Sequence, residues 1–480
     1  MALQFYNTMS RSQEAFDPRE AGKAAMYTCG PTVYNYAHIG NFRAYIFEDI
    51  LRRVLRFCGY EVNQVMNLTD VDDKTIRDSI AAGMSLDAFT QQYKDAFFED
   101  VDELRIERAE AYPAATDHIN EMIDIITTLI EKDIAYISDD NCVYYSIDKF
   151  PNYGKLAQID RSGQRSGARV KNDEYEKDSV ADFALWKAWD KADGDAAWDS
   201  PWGRGRPGWH IECSAMSMKY LGPHFDLHTG GVDNMFPHHE DEIAQSEAAT
   251  GETFVNYWLH CEHLMVNGKK MSKSEGNFFT LRDLLDVGYT GREVRYLLLA
   301  AHYRQQLNFR APRNTETNVI EFVGLEEART VLRRFDDFIR RLREVKDSPD
   351  TGLDTATNLC ATAESGFRAG LEDDLNISEA LAAFFDFMRD VNKTLDDSAI
   401  AGNAAEMVLA TCRSFDSVLA VFDLDKGEEE APAEILALVE ERQQARQTKD
   451  FARADEIRDE LTAGGWVLED SPTGPRVKRA

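Results

Sequence analysis

The stretch from residue 24 to residue 68 constrains the fold more than any other part of the sequence. Two short apolar runs, 24–29 and 62–68, flank a segment with helical apolar periodicity at 42–58. Asn41 is a favourable N-cap residue for that helix. Because a helix that connects two neighbouring strands makes those strands parallel, the pattern predicts a βαβ unit. We therefore expect an α/β domain with a doubly wound parallel sheet.

The alternation of strands and helices is interrupted and later resumes, which predicts an inserted domain and a mostly helical C-terminal half. An acidic, breaker-rich linker precedes the last segment, which is expected to form two helices and a strand. The predicted parts are a first half of the sheet domain at 1–76, an insertion at 77–205, a second half at 206–265, a lysine-containing loop region at 266–312, a helical bundle at 313–424 and a small module at 433–480. Within them the pattern predicts strands at 225–228 and 254–265, and helices at 87–109, 117–133, 240–249, 291–303, 314–346, 355–371, 377–396 and 403–421.

The composition is that of a globular protein kept reduced in the cytoplasm. Hydrophobic residues make up 43% of the 480 residues, and no run approaches the ~18 apolar residues that a membrane span needs. The first residues lack the apolar core of a signal peptide. The seven cysteines are scattered, with none in a CxxC pair, which disfavours a disulfide framework. We expect a cytoplasmic enzyme with no membrane partner.

The chain is strongly acidic, with 85 Asp and Glu against 54 Lys and Arg and a net charge of -31. The acidic residues are dispersed, and only 19 of the basic residues are lysine. This pattern is typical of proteins from a high-salt cytoplasm, where at ~1 M salt the Debye length is about 3 Å. An ordinary acidic protein is the alternative, and a curve of stability against KCl concentration separates the two. The net charge therefore does not exclude a nucleic-acid partner.

Two short motifs predict anion-binding sites. His38-Ile-Gly-Asn41 opens the first predicted helix, whose N-terminal N–H groups attract anions, and Gly40 lets a ligand approach the backbone. Lys270-Met-Ser-Lys-Ser274 lies in a glycine-bounded loop after a strand. Ammonium groups at Lys270 and Lys273 suit a negative charge that develops during a reaction. The alternatives are a simple helix cap and a solvated basic loop.

A histidine-rich stretch at 210–263 predicts a metal site. His238 and Glu242 are spaced i, i+4 and share a helix face. Cys213 lies upstream, and Cys29 ends the first strand, where the carboxyl ends of central strands converge. Cys, His and Glu are all zinc donors. Small core cysteines are the plainer interpretation, and the spacing also leaves open four other donors, His239, Glu240, Cys261 and His263.

Together these motifs resemble those of the class I aminoacyl-tRNA synthetases, whose two ATP motifs usually read HIGH and KMSKS. The chain is most similar to the cysteinyl-tRNA synthetase family, from about residue 5 to residue 470. The stretches that carry the resemblance are Cys29-Gly-Pro-Thr-Val-Tyr34, Asn67-Leu-Thr-Asp-Val-Asp-Asp-Lys74, Gly208-Trp-His-Ile-Glu-Cys-Ser-Ala-Met216, Phe236-Pro-His-His-Glu-Asp-Glu-Ile243 and Lys449-Asp-Phe-Ala-Arg-Ala-Asp-Glu-Ile-Arg-Asp459.

The resemblance implies a zinc-dependent ligase that activates L-cysteine with ATP and transfers it to the terminal adenosine of tRNA-Cys. Zinc prefers a thiolate to a hydroxyl, whereas an apolar pocket separates such similar substrates by only ~1–3 kcal/mol. We therefore expect no editing domain. The implied zinc ligands, one ion per subunit, are Cys29, Cys213, His238 and Glu242, and the implied cysteine pocket contains Thr69 and Trp209. The implied site for ATP and its Mg²⁺ contains Gly30, His38, Gly40, Asn41, Gly231, Asp233, Lys270, Ser272 and Lys273, of which His38, Asn41, Lys270 and Lys273 are the expected catalytic residues.

The resemblance also implies that the helical half binds the tRNA stem and that the module at 433–480 binds the anticodon. We expect the enzyme to be a monomer. Basic residues expected to contact phosphates are Arg442, Arg446, Lys449, Arg453 and Arg458, together with the end segment Arg476-Val-Lys-Arg479.

Three positions depart from the family pattern. Asn41 replaces the second histidine of the first ATP motif, and its amide is expected to keep the contact with phosphate. Thr229 replaces a glycine expected near the adenosine. The segment 474–477 lacks the family's tryptophan, and Trp466 or Arg476 is expected to stack on an anticodon base instead.

Two other functions are compatible with parts of the pattern. A related ligase would pass activated cysteine to an amino-sugar in thiol biosynthesis, but such enzymes resemble the catalytic half alone, and the module at 433–480 argues against one. A non-catalytic tRNA-binding protein would have a damaged ATP site, whereas both ATP motifs and all four implied ligands are present.

Overall fold

A computed structural model of the chain describes residues 2–159, 169–170, 181–272, 275–314, 317, 319–424, 432–471 and 474–479. The strands are β1 (Gln4–Asn7), β2 (Ser12–Ala15), β3 (Lys23–Thr28), β4 (Glu61–Met66), β5 (Ala135–Ile137), β6 (Val143–Tyr145), β7 (Arg169–Val170), β8 (Asp182–Ala188), β9 (Gly205–Pro207), β10 (Phe225–Gly231), β11 (Val255–Cys261), β12 (Leu264–Val266), β13 (Lys269–Lys270), β14 (Leu307–Phe309), β15 (Trp466–Ser471) and β16 (Gly474–Arg479).

The helices fall mostly in the second half of the chain. They are α1 (Ile39–Phe57), α2 (Asp73–Ala82), α3 (Leu86–Glu103), α4 (Ile119–Glu131), α5 (Trp209–Leu221), α6 (Glu240–Thr250), α7 (Leu281–Asp286), α8 (Gly291–Leu299), α9 (Val323–Val345), α10 (Leu353–Glu372), α11 (Ile377–Asp396), α12 (Asn403–Leu419), α13 (Ala433–Gln447) and α14 (Phe451–Ala463).

A parallel four-stranded sheet, in the order β11-β10-β3-β4, forms the centre of the first part of the chain. Strand β3 pairs with β4 along its whole length, and β10 pairs with both β3 and β11. Helix α1 connects β3 to β4, so the predicted βαβ unit is confirmed. The strands are buried over most of their length because helices cover the sheet, which explains their continuous apolar runs.

The chain between β4 and β10 adds a second, mainly antiparallel sheet in the order β5-β6-β8-β7, with β9 on β8. Its side chains Tyr145, Phe183 and Trp186 belong to the same hydrophobic core as α4, α5 and the parallel sheet. The expectation of a segment inserted between the two halves of the parallel sheet is therefore confirmed, while the domain boundaries themselves stay predictions.

Helix α1 begins at Ile39, and its N-cap is His38 rather than the predicted Asn41. The Nδ1 atom of His38 accepts a hydrogen bond from the backbone N–H of Asn41 at 3.1 Å. In return, the side-chain oxygen of Asn41 accepts one from the N–H of His38, also at 3.1 Å. The prediction was wrong because a histidine acceptor takes the place of the short polar side chains that usually cap helices.

Two elements around the sheet also differ from the prediction. Helix α5 was not predicted, because eight of its residues in succession, 210–217, are buried and give no amphipathic pattern. The strand predicted at 254–265 is divided: β11 joins the parallel sheet, whereas β12 pairs with β13 and β14. The continuous apolar run gave no indication that the chain leaves the parallel sheet at Glu262 and enters a second sheet.

The helical half follows the predicted periodicity, with differences at helix ends. Helices α10, α11 and α12 match the predicted segments 355–371, 377–396 and 403–421 within a few residues, but α9 begins at Val323 rather than at 314. Among the described residues before α9, Arg313 instead pairs with Ile320 in an isolated bridge.

Arg43 of α1 connects the parallel sheet to the helical half. Its guanidinium is buried and donates to the carbonyls of Leu298, Ala301 and His302 at the end of α8. These carbonyls have no partner within a helix, so the cation satisfies them. The contact fixes α1, and with it His38, against α8.

The chain divides into two compact units, Met1–Phe422 and Asp423–Ala480. In the second unit, α13 and α14 pack with the hairpin β15–β16, where a single strand was predicted, around a core of Val439, Ile457, Leu461 and Trp466. Trp466 is only 5% exposed, so the expectation that it stacks on an anticodon base is wrong. The side chain of Arg476 lies outside the described part of the structure.

No helix among the described residues combines the length and apolarity required to cross a bilayer.

Candidate metal centre and nucleotide site

A cavity of about 500 Å³ opens at the carboxyl ends of β3 and β10. In open α/β sheets, ligands bind at this edge, where neighbouring crossover connections diverge. The cavity contains residues from both ATP motifs and from the histidine-rich stretch. Its lining includes Cys29, Gly30, His38, Gly40, Asn41, Trp209, Gly231, Asp233 and Lys270.

The four predicted metal donors meet beside this cavity, whose lining includes Cys29. Cys29 follows β3, Cys213 lies on α5, His238 is in an irregular turn before α6, and Glu242 is in the first turn of α6. All four are buried, and one ligand atom of each lies within 4.8 Å of the others. The fold therefore brings Cys29 next to His238 and Glu242, which lie more than 200 positions later in the sequence.

A second donor set overlaps the first. Cys29 and Glu242 also lie within 4.8 Å of His228 and His239. His239 was one of the open alternatives, whereas His228 at the end of β10 was missed. A signal for it existed, because His228 precedes the glycine turn Gly230-Gly231 at the carboxyl end of a central strand.

The other three alternative donors, Glu240, Cys261 and His263, belong to neither donor set found among the described residues. Glu240 accepts hydrogen bonds from the N–H groups of Gly154 and Ala157. Burial raises the pKa of Cys261 to about 12, which disfavours the thiolate that a metal needs. His263 lines the cavity but belongs to neither donor set found among the described residues.

The set containing Cys213 and His238 suits a zinc ion best. It offers two sulfurs, and a hydrogen bond from Cys29 lowers the pKa of Cys213, which favours a thiolate at that position. The carboxylate oxygen Oε1 of Glu242 is buried and accepts no hydrogen bond from any described residue, although Nε2 of His238 lies 3.1 Å away. A buried carboxylate oxygen left in this way is what a cation would satisfy.

Trp209 and His210 at the start of α5 hold the ring of His238. The indole of Trp209 stacks on that ring with 4.3 Å between centroids and 19° between planes. Nδ1 of His210 lies 3.0 Å from Nδ1 of His238. Trp209 also lines the cavity, so it forms a wall between the metal donors and the open space.

Thr69 lies deeper than Trp209. It is buried, and its hydroxyl donates to Oε2 of Glu212 on α5 at 3.2 Å while accepting from the side chain of Asn67 at 3.1 Å. Asn67 in turn accepts from the backbone N–H of Gly30 at 2.9 Å. The three residues connect the loop after β3 to α5 beneath the cavity.

The two predicted ATP motifs are in contact with each other. A Cβ atom on Gly40 would lie 2.6 Å from Cε of Met271 and 2.9 Å from Nδ1 of His38, so a side chain at this position would displace one or both of them. The ring of His38 also meets the edge of Phe278 at 5.1 Å. The start of α1 and the loop that contains the second ATP motif, 270–274, therefore form one side of the cavity. We call this loop the lysine loop.

The side chain of His38, on this side of the cavity, is a neutral imidazole. Because its Nδ1 accepts the N–H of Asn41, its proton is assigned to Nε2. Burial lowers the pKa of His38 to about 4, although Asp233 opposes the shift. At neutral pH the residue is therefore a hydrogen-bond donor without a fixed charge.

Asn277 folds the lysine loop. Its side chain accepts from the N–H of Ser272 at 2.8 Å and donates to the carbonyl of Lys270 at 3.0 Å. Lys270 is exposed and borders the cavity. Lys273, the second predicted cation, and Ser274 lie outside the described residues.

Thr229 contacts α1 from within the sheet. Its side chain is fully buried, and its hydroxyl donates to Oε1 of Glu48 on α1 at 2.9 Å. Burial raises the pKa of Glu48 well above its usual value. Thr229, which stands where the resemblance implies a glycine, thus has a buried carboxyl group on the facing helix as its partner.

We predict that Thr229→Gly weakens folding while leaving ATP binding nearly unchanged. The substitution leaves Glu48 without its donor, which costs about 1–3 kcal/mol, and places a flexible residue in a central strand. Urea unfolding measures the loss, and the KM for ATP in pyrophosphate exchange should change by less than about twofold. A tenfold rise in that KM at unchanged stability would show instead that Thr229 contacts the nucleotide.

Comparison with known families assigns three parts of the chain to family models. Residues 15–318 match the family of tRNA synthetases class I (C) catalytic domain. Residues 366–423 match the DALR domain, and residues 428–476 match the cysteinyl-tRNA ligase anticodon binding domain. The catalytic match alone covers more than half of the chain.

Full-length relatives give the same result. A cysteine–tRNA ligase of Protochlamydia amoebophila is 51% identical over 481 residues, which cover 99% of this chain and 98% of the relative. One from Brachyspira hyodysenteriae is 50% identical, covering 99% of both chains.

Solved structures of more distant proteins share the fold. A methionyl-tRNA synthetase of Mycobacterium tuberculosis, solved with methionyl-adenylate, has a TM-score of 0.56 at 16% identity and covers 83% of this chain and 88% of its own. A leucyl enzyme of Agrobacterium radiobacter has a TM-score of 0.58 at 12% identity and covers 85% and 84%. These likenesses support the fold, and the full-length relatives fix the family. The chain belongs to the cysteinyl-tRNA synthetase family of class I aminoacyl-tRNA synthetases.

Proposed function

We propose that the chain joins L-cysteine to tRNA-Cys with a zinc ion bound by Cys29, Cys213, His238 and Glu242. Cysteine–tRNA ligation is the activity of the family to which the chain belongs. The observation that carries the zinc proposal is the meeting of two thiols, an imidazole and a carboxylate within 4.8 Å beside the cavity that contains both ATP motifs.

The metal proposal accounts for the choice of substrate. A zinc ion held by these four residues supplies a Lewis acid that prefers a deprotonated thiol to a hydroxyl. Trp209 lies against His238 and lines the cavity, so we propose that it borders the cysteine side chain. We propose that Thr69 supports the cysteine pocket indirectly, by holding Glu212 and, through Asn67, the loop of Gly30.

Activation requires the cysteine carboxylate to attack the α-phosphate of ATP, which forms cysteinyl-adenylate and releases pyrophosphate. No protein nucleophile is needed, so catalysis consists of positioning and charge stabilisation. We propose that Nε2–H of His38 and the N-terminus of α1 donate to phosphate oxygens, while Asn41 keeps the His38 ring in place. Lys270 and Lys273 are proposed to stabilise the departing pyrophosphate, with Mg²⁺ bound to ATP. Gly30, Gly40, Gly231, Asp233 and Ser272 are the other proposed ATP contacts.

The second step transfers the cysteinyl group to a ribose hydroxyl at the end of the tRNA. The match of residues 428–476 to an anticodon-binding domain supports tRNA as the acceptor and disfavours the amino-sugar alternative. Among the predicted phosphate contacts, Arg453 is paired with Glu441 and Glu456, and Arg458 with Asp455. All five basic residues stay proposed phosphate contacts, and Arg453 and Arg458 would have to exchange these carboxylate partners for a phosphate.

An assay of ATP–pyrophosphate exchange and tRNA charging tests this function. We expect exchange that depends on cysteine and not on serine, followed by charging of a tRNA-Cys transcript. Exchange with cysteine but no charging, together with transfer to an amino-sugar, would support the alternative. No cysteine-dependent exchange at any KCl concentration up to ~1 M would contradict the proposal. The cytoplasmic location, the monomeric state and the high-salt origin stay predictions.

A further inference from the structure

A chain of buried polar contacts leads from the inserted segment to the proposed metal ligand His238. The hydroxyl of Tyr153 donates to Oδ1 of Asp241 at 2.5 Å. The other oxygen of Asp241, Oδ2, lies 3.3 Å from Nε2 of His210. Nδ1 of His210 then lies 3.0 Å from Nδ1 of His238. All four side chains are buried.

The direction of the hydrogen bonds in this chain decides which nitrogen of His238 carries a proton. A carboxylate can only accept, so Asp241 selects the form of His210 that carries its proton on Nε2. Nδ1 of His210 is then an acceptor, and Nδ1 of His238 must donate to it. Nε2 of His238, which lies 3.1 Å from Glu242, is left with a lone pair.

The opposite arrangement would prevent metal binding. If His210 carried its proton on Nδ1, it would donate to Nδ1 of His238. The proton of His238 would then have to occupy Nε2, the nitrogen that lies 3.1 Å from Oε1 of Glu242. The carboxylate of Asp241 is therefore the group that makes the difference, although it does not itself belong to either donor set.

We infer that Asp241 and Tyr153 are positioning residues of the metal centre: acting through His210, they hold His238 in the tautomer whose Nε2 can bind the ion. This inference rests on the proposed zinc function. It also assigns a role to the inserted segment, because Tyr153 fixes the Asp241 carboxylate from outside the parallel sheet. Outer partners that orient a metal-bound histidine typically change metal affinity 10–100-fold when they are removed.

Asp241→Asn and Tyr153→Phe test the inference. An asparagine amide can donate as well as accept, so Asp241→Asn removes the selection of the His210 tautomer while keeping the shape of the side chain. We expect its zinc affinity to fall about 10–100-fold, and that of Tyr153→Phe to fall by about tenfold. Zinc affinity is measured by competition with a chelator of known affinity, on the full-length protein and without substrates.

Tyr145→Phe is the matched control. Tyr145 is also buried, and its hydroxyl also reaches α6, but it donates to the carbonyl of Ala244 at 2.9 Å and not to the chain that leads to His238. We expect this variant to lose comparable thermal stability while its zinc affinity stays within about twofold of the wild type. The comparison separates orientation of His238 from simple anchoring of the inserted segment.

Cobalt substitution gives a second readout. The ligand-field absorption of bound Co²⁺ should change in Asp241→Asn, since His238 is bound less well, and stay unchanged in Tyr145→Phe. If Asp241→Asn and Tyr153→Phe bind zinc as tightly as the wild type, or no more weakly than Tyr145→Phe, the inference is overturned while the zinc proposal stands. If the wild-type chain itself binds no zinc, both fail.

Discussion

Replacing Cys213 by serine should strongly weaken the binding of L-cysteine and of zinc together. A zinc site of four protein ligands contributes about 10–16 kcal/mol, so one ligand accounts for about 3 kcal/mol, or ~10²-fold in zinc affinity. Serine is close in size to cysteine, but its hydroxyl stays protonated near neutral pH and does not provide the anionic sulfur ligand that a cysteine thiolate provides. We therefore expect kcat/KM for cysteine in pyrophosphate exchange to fall by at least ~10²-fold, while the protein stays folded.

Cys261→Ser is the control for this substitution. Cys261 is buried and borders the same cavity, but its thiol faces the carbonyls of Arg43 and Glu262 at 3.8 and 3.6 Å. A serine hydroxyl can donate to the same carbonyls, so zinc content and exchange should be retained. Loss of zinc in Cys261→Ser but not in Cys213→Ser would show that the donor set has been assigned wrongly.

Replacing His38 by alanine should reduce the rate of cysteinyl-adenylate formation by about 10²–10³-fold, the loss typical of one donor to a developing negative charge. His38→Asn separates this role from capping, because asparagine is a good N-cap residue but its shorter side chain does not reach as far as Nε2. We expect His38→Asn to restore the thermal stability that alanine loses and to leave exchange slow. Single-turnover measurement with saturating ATP and cysteine isolates the step.

The pH dependence of activation provides a check on the state of His38. Its pKa is lowered to about 4 by burial, against a usual value near 6.5 for an exposed histidine. The imidazole is therefore neutral in the folded protein above about pH 5, and its contribution to the rate should be level from there to pH 8. In the unfolded chain the group binds a proton between its two pKa values, so stability from His38 is full above about pH 6.5 and declines towards pH 4. A rate inflection near pH 6.5 that disappears in His38→Asn would contradict the assignment.

The parallel sheet and the sites at its edge were predictable from sequence because they depend on local patterns. The apolar runs of β3 and β4, and the helix between them, gave the βαβ unit, and the carboxyl ends of β3 and β10 gave the position of the cavity. The four implied metal ligands came from the family resemblance, because residue type and spacing alone left four other donors open. The sheet and the two anion-binding motifs were predictable because each is encoded within one strand, turn or helix.

Features that depend on contacts between distant segments were not predictable. One local contact was also missed: His38 caps its helix through a ring nitrogen, whereas N-cap propensities favour short polar side chains. Trp466 was expected at the surface but fills the core of the second unit. The contact of Thr229 with Glu48 joins residues 181 positions apart, and neither residue signals the other in the sequence. Because α5 is buried on most sides, its sequence lacks the polar face that would have identified it as a helix.

The most direct test of the central claim is to measure zinc in the purified, active enzyme and to repeat the measurement after treatment with a chelator. We predict one zinc ion per chain in the active protein. After its removal, cysteine-dependent pyrophosphate exchange should be lost while ATP still binds, and added zinc should restore the exchange. A metal-free preparation that activates cysteine at the full rate and still rejects serine would contradict the account.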